Sequence, residues 1–241
     1  MIKAIFLDMD ETLCDTTKAN LLAKDHLTDF VRSYFPTKED ADNFSEMYLE
    51  GIYKNLSDTL KVELFPITDE GAFRTQLIRI LFKQFGASYD LTEEQAHNIR
   101  QEYDKFRIEK FDFFPGCKNM LKMLRTEYSL IVITNGPVYS QKPKVARVEL
   151  AKYVDHIIIG GEEAEEKPFA SIFQKALKLA SLEPCEAIHV GDSLSADIDG
   201  ANNSGIKSVW INPQEKKNAT ADFSIKNITE LPTVLDQLKS F

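Results

Sequence analysis

Five short apolar runs along the chain share one shape: β-branched residues dominate each, and a small or polar residue ends it. They span 2–7, 130–133, 157–159, 187–190 and 206–211. Runs without polar alternation are what strands buried on both faces of a parallel sheet look like. Between the later runs, 142–152, 169–180 and 195–204 have the length and patterning of crossover helices. Strand, helix, strand repeated in this way predicts an α/β fold built on a doubly wound parallel sheet.

The first run stands apart, because no second run of its kind follows for over a hundred residues. Instead, Leu27, Phe30, Val31 and Tyr34 recur at helical spacing, and Phe73, Leu77, Ile80, Leu81 and Phe85 continue a similar stripe. Phe35-Pro36, Phe65-Pro66 and Gly86-Ala87-Ser88 mark helix ends. Phe114-Pro115-Gly116 marks the return to the sheet. The expected organisation is a sheet core of residues 1–16 and 111–241, interrupted by a helical insert over 17–110.

Composition narrows the function classes. The chain has 241 residues, 43% of them hydrophobic, enough to bury a substantial core. Its 29 basic and 38 acidic residues leave a net charge of −9, with no basic block to attract a nucleic acid polymer or an anionic membrane. Cys14, Cys117 and Cys185 are too sparse for a disulfide framework or a zinc site. No apolar run reaches the ~18 residues of a membrane span, and the first run is too short for a signal peptide. The cytoplasm is the expected location.

In an open parallel sheet, ligands bind beyond the carboxyl ends of the strands. The first run ends on Asp8, Met9, Asp10, Glu11 and Thr12, and the second on Thr134, Asn135 and Gly136. Lys167-Pro168 precedes a crossover helix, and the fourth run leads to Gly191, Asp192, Ser193 and then Asp197. An Asp after a strand is, taken alone, most often a turn former or a helix cap. The joint pattern is more specific. Two bare carboxylates about 4 Å apart repel by about 4 kcal/mol at an effective dielectric near 20, so four with a single lysine call for a hard cation. With no Cys or His in the set, oxygen ligands point to Mg²⁺ rather than zinc.

Asp8-Met9-Asp10-Glu11-Thr12, Ile133-Thr134-Asn135-Gly136, Lys167-Pro168 and Gly191-Asp192-Ser193-Leu194-Ser195-Ala196-Asp197 resemble, in order, the four motifs of the haloacid dehalogenase superfamily of aspartate-nucleophile phosphatases. The insert is similar to that family's C1-type helical cap. The resemblance implies that Asp8 is the nucleophile and passes through an aspartyl phosphate, while Asp10 protonates the leaving alcohol and then accepts a proton from water. Thr134 and the Asn135 N–H would hold the phosphoryl oxygens, and Lys167 would neutralise them together with Asp8. Mg²⁺ would bind Asp8, Asp192 and the Met9 carbonyl, or the Asp10 carbonyl as alternative. Asp197 would order Lys167 or metal-bound water, and Thr12 would support the site from behind. Asp10 also implies phosphate rather than halide chemistry, since a halide leaves without a proton.

Glu11 departs from the family, where Gly or Asn is common. The stretch 159–173, read with the second and fourth motifs, is most like the N-acylneuraminate-9-phosphatase branch, which implies a small sugar phosphate as substrate. A neighbouring branch of pyrimidine nucleotidases makes a nucleoside 5′-monophosphatase the alternative. A phospho-accepting, receiver-like module is the non-enzymatic one, since receivers also group Asp, Thr and Lys around Mg²⁺. His189, inside an apolar run, reads as a hydrogen-bonded core histidine, and Trp210 as packing. Tyr139, Gln141 and Lys142 are candidates to line the substrate cleft.

Overall fold

The computed structural model describes residues 1–87, 89–217 and 220–239. Ser88, named above as a helix end, lies outside them. The chain divides into two compact units, Met1–Thr16 with Phe111–Phe241, and Thr17–Lys110.

The first unit is a six-stranded sheet of β1 (Ala4–Leu7), β2 (Ser129–Thr134), β3 (His156–Ile159), β4 (Ala187–Gly191), β5 (Lys207–Ile211) and β6 (Phe223–Ile225). Every pairing is parallel, in the order β3-β2-β1-β4-β5-β6. β1 and β4 are buried at every position, which is why their sequences carry no polar alternation. The sixth strand has no counterpart among the apolar runs, because a three-residue edge strand offers too little pattern to read. The strand order reverses beside β1, between its neighbours β2 and β4, and a reversal of this kind opens a crevice at the carboxyl ends. Leu7 pairs with Val132 on one side and Val190 on the other, so Asp8 emerges at the reversal.

α6 (Cys117–Leu124) leads into β2, and two predicted helices then shift. The one expected over 142–152 begins earlier, as α7 (Val138–Arg147), and a separate turn at Leu150–Lys152 follows Glu149, whose φ of 51° breaks the helix. The one expected over 195–204 opens as a π-helical turn, Leu194–Asp199, before a short α-helical turn, Gly200–Asn203. The helix after Lys167-Pro168 is α8 (Ala170–Ala180).

The second unit is helical: α1 (Thr16–Val31, entered from the sheet unit), α2 (Lys38–Ile52), α3 (Asp58–Leu64), α4 (Glu70–Gln84) and α5 (Glu93–Lys110). Thr37 opens α2 with a reciprocal capping box to Asp40, and Asp69 caps α4. Leu27, Val31, Phe73, Leu77 and Leu81 join its buried cluster around Phe44 and Phe82. Phe30 does not: the buried stripe of α1 runs Ala23, Leu27, Val31, and Phe30 lies exposed to one side, stacked near His26.

Candidate active site

Asp8 leaves β1 with its N–H donating to the Val190 carbonyl at 2.9 Å, which ties the strand end to β4. Its carboxylate is buried and takes a hydrogen bond from Lys167 Nζ at 2.6 Å. The same Nζ donates to Asp197 Oδ1 at 2.6 Å. Lys167 is itself set by Asn135, whose Oδ1 accepts the Lys167 N–H at 2.9 Å and whose Nδ2 donates to the Lys167 carbonyl at 2.7 Å. The second motif thus fixes the third. Gly136 allows this turn, at φ 105°, a conformation that a side chain would strain.

Asp197 reaches back from the π-helical turn, and the wider turn is the local device that aims it. Ser193 caps the turn, its Oγ accepting from the Ala196 N–H. The approach depends on Gly191, where an added Cβ would lie 2.1 Å from Asp197 Cγ. Asp197 Oδ1 also accepts from His189 Nε2 at 2.9 Å, and Oδ2 from the Ser193 N–H at 3.0 Å. That bond places the His189 proton on Nε2 and leaves Nδ1 buried with no partner among the described residues. Burial would raise Asp197, but the Lys167 ammonium and His189 outweigh it and hold the carboxyl well below its ordinary range. His189 is the hydrogen-bonded core histidine expected of its run, and its bond falls on the residue that anchors Lys167.

Asp8, Asp192 and Asp197 present carboxylate oxygens within 4.8 Å of one another. Burial pushes Asp8 up to about 8 against the pull of Lys167, with Asp197 and Asp10 adding to the rise. Burial, then the Asp197 and Glu11 charges, push Asp192 up to about 6. Both carboxyls are held in a field that resists their ionisation, and a hard divalent cation relieves that strain. The donor set, all oxygen, suits Mg²⁺. The Met9 carbonyl does not fit as a ligand: it already accepts from the Leu13 and Cys14 N–H groups at 3.0 and 2.9 Å, which uses both lone pairs. The alternative expected from the sequence is the Asp10 carbonyl. A cavity of about 500 Å³ opens beside Asp192, lined in part by Glu11, Thr12 and Trp210. Trp210 donates from Nε1 to the Asp192 carbonyl at 2.8 Å, a contact that sequence reasoning missed.

Asp10 turns away from this cluster. Its carboxylate accepts from Thr16 Oγ1 at 2.5 Å, from Gln141 Nε2 at 3.0 Å, and from Lys144 Nζ at 2.9 Å on each oxygen. Burial alone would raise Asp10, yet Lys144 and these hydrogen bonds bring it below its ordinary value. Lys144 did not figure among the predicted residues. A signal existed: the buried positions of α7 are Gln141 and Lys144, where a crossover helix should carry apolar residues. Of the other candidates on α7, Tyr139 is exposed, and Lys142 pairs with Glu162 at the surface. Thr134 is buried at the end of β2, and Thr12 Oγ1 is buried with no hydrogen-bond partner among the described residues. Burial pushes the Cys14 thiol well up, so the cysteine nearest the site is inert.

Residues 5–211 match the family described as haloacid dehalogenase-like hydrolase. The chain is 32% identical to a glyceraldehyde 3-phosphate phosphatase of Pyrococcus furiosus, over 99% of this chain and 93% of that one. It is 28% identical to an N-acylneuraminate-9-phosphatase of Mus musculus, over 98% and 95%. Among solved structures, a HAD phosphatase from Thermococcus onnurineus superposes with a TM-score of 0.63 at 28% identity, covering 97% of this chain and 98% of that one. The chain belongs to the haloacid dehalogenase-like hydrolase family and is a phosphatase within it.

Proposed function

We propose that this phosphatase is a Mg²⁺-dependent phosphomonoesterase acting on a small sugar phosphate, such as a nonulosonic acid 9-phosphate, through an aspartyl phosphate on Asp8. The observation that carries this reading is the buried Asp8–Lys167–Asp197 chain with Asp10 two residues along. Asp8 Oδ attacks phosphorus as the bond to the leaving oxygen breaks, and that oxygen takes a proton from the Asp10 carboxyl, which the negative charge of the bound phosphate favours in its protonated form against the pull of Lys144. Water then attacks the phosphorus of the aspartyl phosphate and gives its proton to Asp10. Phosphate leaves and the Asp8 carboxylate is restored. Thr134 and the Asn135 N–H hold the phosphoryl oxygens, and Lys167 offsets the charge that gathers on them.

Asp8, Asp192 and the Asp10 carbonyl would hold Mg²⁺, which when bound supplies positive charge for the phosphoryl oxygens. Counting Asp8, Asp10, Asp192 and Asp197 against Lys144 and Lys167 leaves two negative charges, which one divalent cation cancels. Residues 17–110 form the cap that reads the leaving group. The non-enzymatic receiver reading falls, because relatives over nearly the full length are phosphatases. Polymeric nucleic acid and membranes are not partners in this scheme. No helix among the described residues is long and apolar enough to cross a bilayer, and the scheme places the enzyme in the cytoplasm.

The test is a turnover panel of sugar phosphates, nucleoside 5′-monophosphates and phosphoglycolate, run with EDTA and with added Mg²⁺. Turnover restored by Mg²⁺ and fastest on sugar phosphates is expected. Preference for nucleotides overturns the substrate, and turnover indifferent to EDTA overturns the metal.

A further inference from the structure

Asp10 takes four hydrogen bonds, against three on Asp197. The four converge from Thr16, Gln141 and both contacts of Lys144. Lys144 is 3% exposed, with its ammonium 5.6 Å from the centre of the Phe111 ring. A lysine is seldom buried so deeply without a paired acid, since desolvating the ammonium costs several kcal/mol. The partner here lies 134 positions away in the chain, so the pair was assembled by the fold rather than by local sequence. Gln141, one helical turn before Lys144, bridges the Asn135 carbonyl at 2.7 Å and Asp10 at 3.0 Å. It therefore ties the phosphate-binding turn to the same carboxylate.

The physical need for such a clamp comes from what else would attract Asp10. Two residues away is Asp8, beside Lys167, with the acids that fit a divalent cation. Once a divalent cation is held by those acids, a loose carboxylate on this turn would be drawn to it, where it could neither protonate a leaving oxygen nor take a proton from water. We propose that Lys144 and Gln141 are positioning residues for Asp10, holding its carboxylate apart from the cation-binding acids so that it serves proton transfer alone. The inference rests on the role proposed above for Asp10, and it extends that role to a helix that none of the four motifs includes.

Proton transfer to the leaving oxygen matters for an alkoxide and hardly at all for p-nitrophenolate, which departs unprotonated. This separates a positioning role from a structural one. The experiment compares kcat/KM, which reports the steps up to leaving-group departure, on p-nitrophenyl phosphate and on the sugar phosphate that the wild type hydrolyses best. Wild type, Asp10→Ala, Lys144→Met, Lys144→Arg and Gln141→Met are measured side by side. Asp10→Ala is expected to lose about 10²- to 10⁴-fold on the sugar phosphate, the usual worth of general acid–base catalysis, and far less on the aryl ester. Lys144→Met is expected to show the same split at about 10-fold or more, with Gln141→Met smaller and Lys144→Arg recovering part of it. Should Lys144→Met fail to fold, Gln141→Met and Lys144→Arg carry the comparison. Equal losses on both esters, or none, in the Lys144 and Gln141 variants overturn the inference. If Asp10→Ala shows no split, the role of Asp10 fails instead, and if the wild type hydrolyses neither ester, the proposed function itself fails.

Discussion

Each unit of the molecule buries a cation, and the two burials differ in kind. In the helical unit Arg74 is 5% exposed and donates to the Tyr48 hydroxyl at 2.8 Å and to Asp104 at 2.6 Å. One cation meets one acid and one hydroxyl, and the set is closed. In the sheet unit Lys167 meets Asp8 and Asp197, with Asp192 beside them, so acids outnumber cations and two carboxyls sit above their ordinary range. A balanced buried charge fixes a structure, whereas an unbalanced one stores a demand for a ligand. Burial alone does not distinguish them, since Arg74 and Lys167 are hidden almost equally.

The largest expected effect tests the unbalanced side. Asp8→Asn is expected to abolish turnover, by on the order of 10⁶ as for deletion of other enzymic nucleophiles, while leaving a cooperatively unfolding protein. It is also expected to weaken the thermal stabilisation by Mg²⁺, which in the wild type amounts to about 2.7 kcal/mol at a hundredfold excess over Kd. A variant that keeps the full Mg²⁺ response would show that the acids around Asp8 are not the cation site.

The balanced side predicts the reverse profile. Arg74→Met leaves the Tyr48 hydroxyl and Asp104 without their shared donor. Asp104 is about one-third exposed and can turn to water, so the expected loss of stability is about 2 kcal/mol, below the range for a fully buried pair. A lowered urea midpoint with kcat on p-nitrophenyl phosphate within about twofold of wild type is the outcome expected of a surface-distant stability change. A large fall in kcat with an unchanged midpoint would erase the distinction between the two burials.

Legibility followed the same line. The residues at strand ends could be read because an apolar run announces where its carboxyl end lies, and the sheet rule says that ligands gather there. Asp8, Thr134, Asn135 and Asp192 sit at or just past the ends of β1, β2 and β4, and Lys167 and Asp197 join Asp8 from the segments that follow β3 and β4. What stayed hidden was set by contacts between distant segments. Lys144 meets Asp10 only because α7 packs beside the first strand end, and His189 meets Asp197 only because a π-helical turn folds back over Gly191. The Met9 carbonyl looked available until the tight turn after β1 occupied it. In the helical unit the phase of α1 was misread at Phe30, since spacing alone admits two overlapping stripes and packing selects one.

The smallest effect concerns the one departure from the family pattern. Glu11 takes φ 58°, the left-handed region where Gly and Asn are at ease. A non-glycine residue in that region costs roughly 1–2 kcal/mol, and glycine returns roughly 0.5–1 of it through the entropy of the unfolded chain. Glu11→Gly is therefore expected to stabilise the protein by about 0.5–1 kcal/mol, seen as a raised urea midpoint at unchanged slope. It also removes one of the charges that push Asp192 upward, so the metal-free protein should gain and the Mg²⁺ response should shrink slightly. Were Glu11→Gly to destabilise instead, contacts of the Glu11 side chain would outweigh the strain of its backbone, and the departure would count as part of the site rather than a tolerated cost beside it.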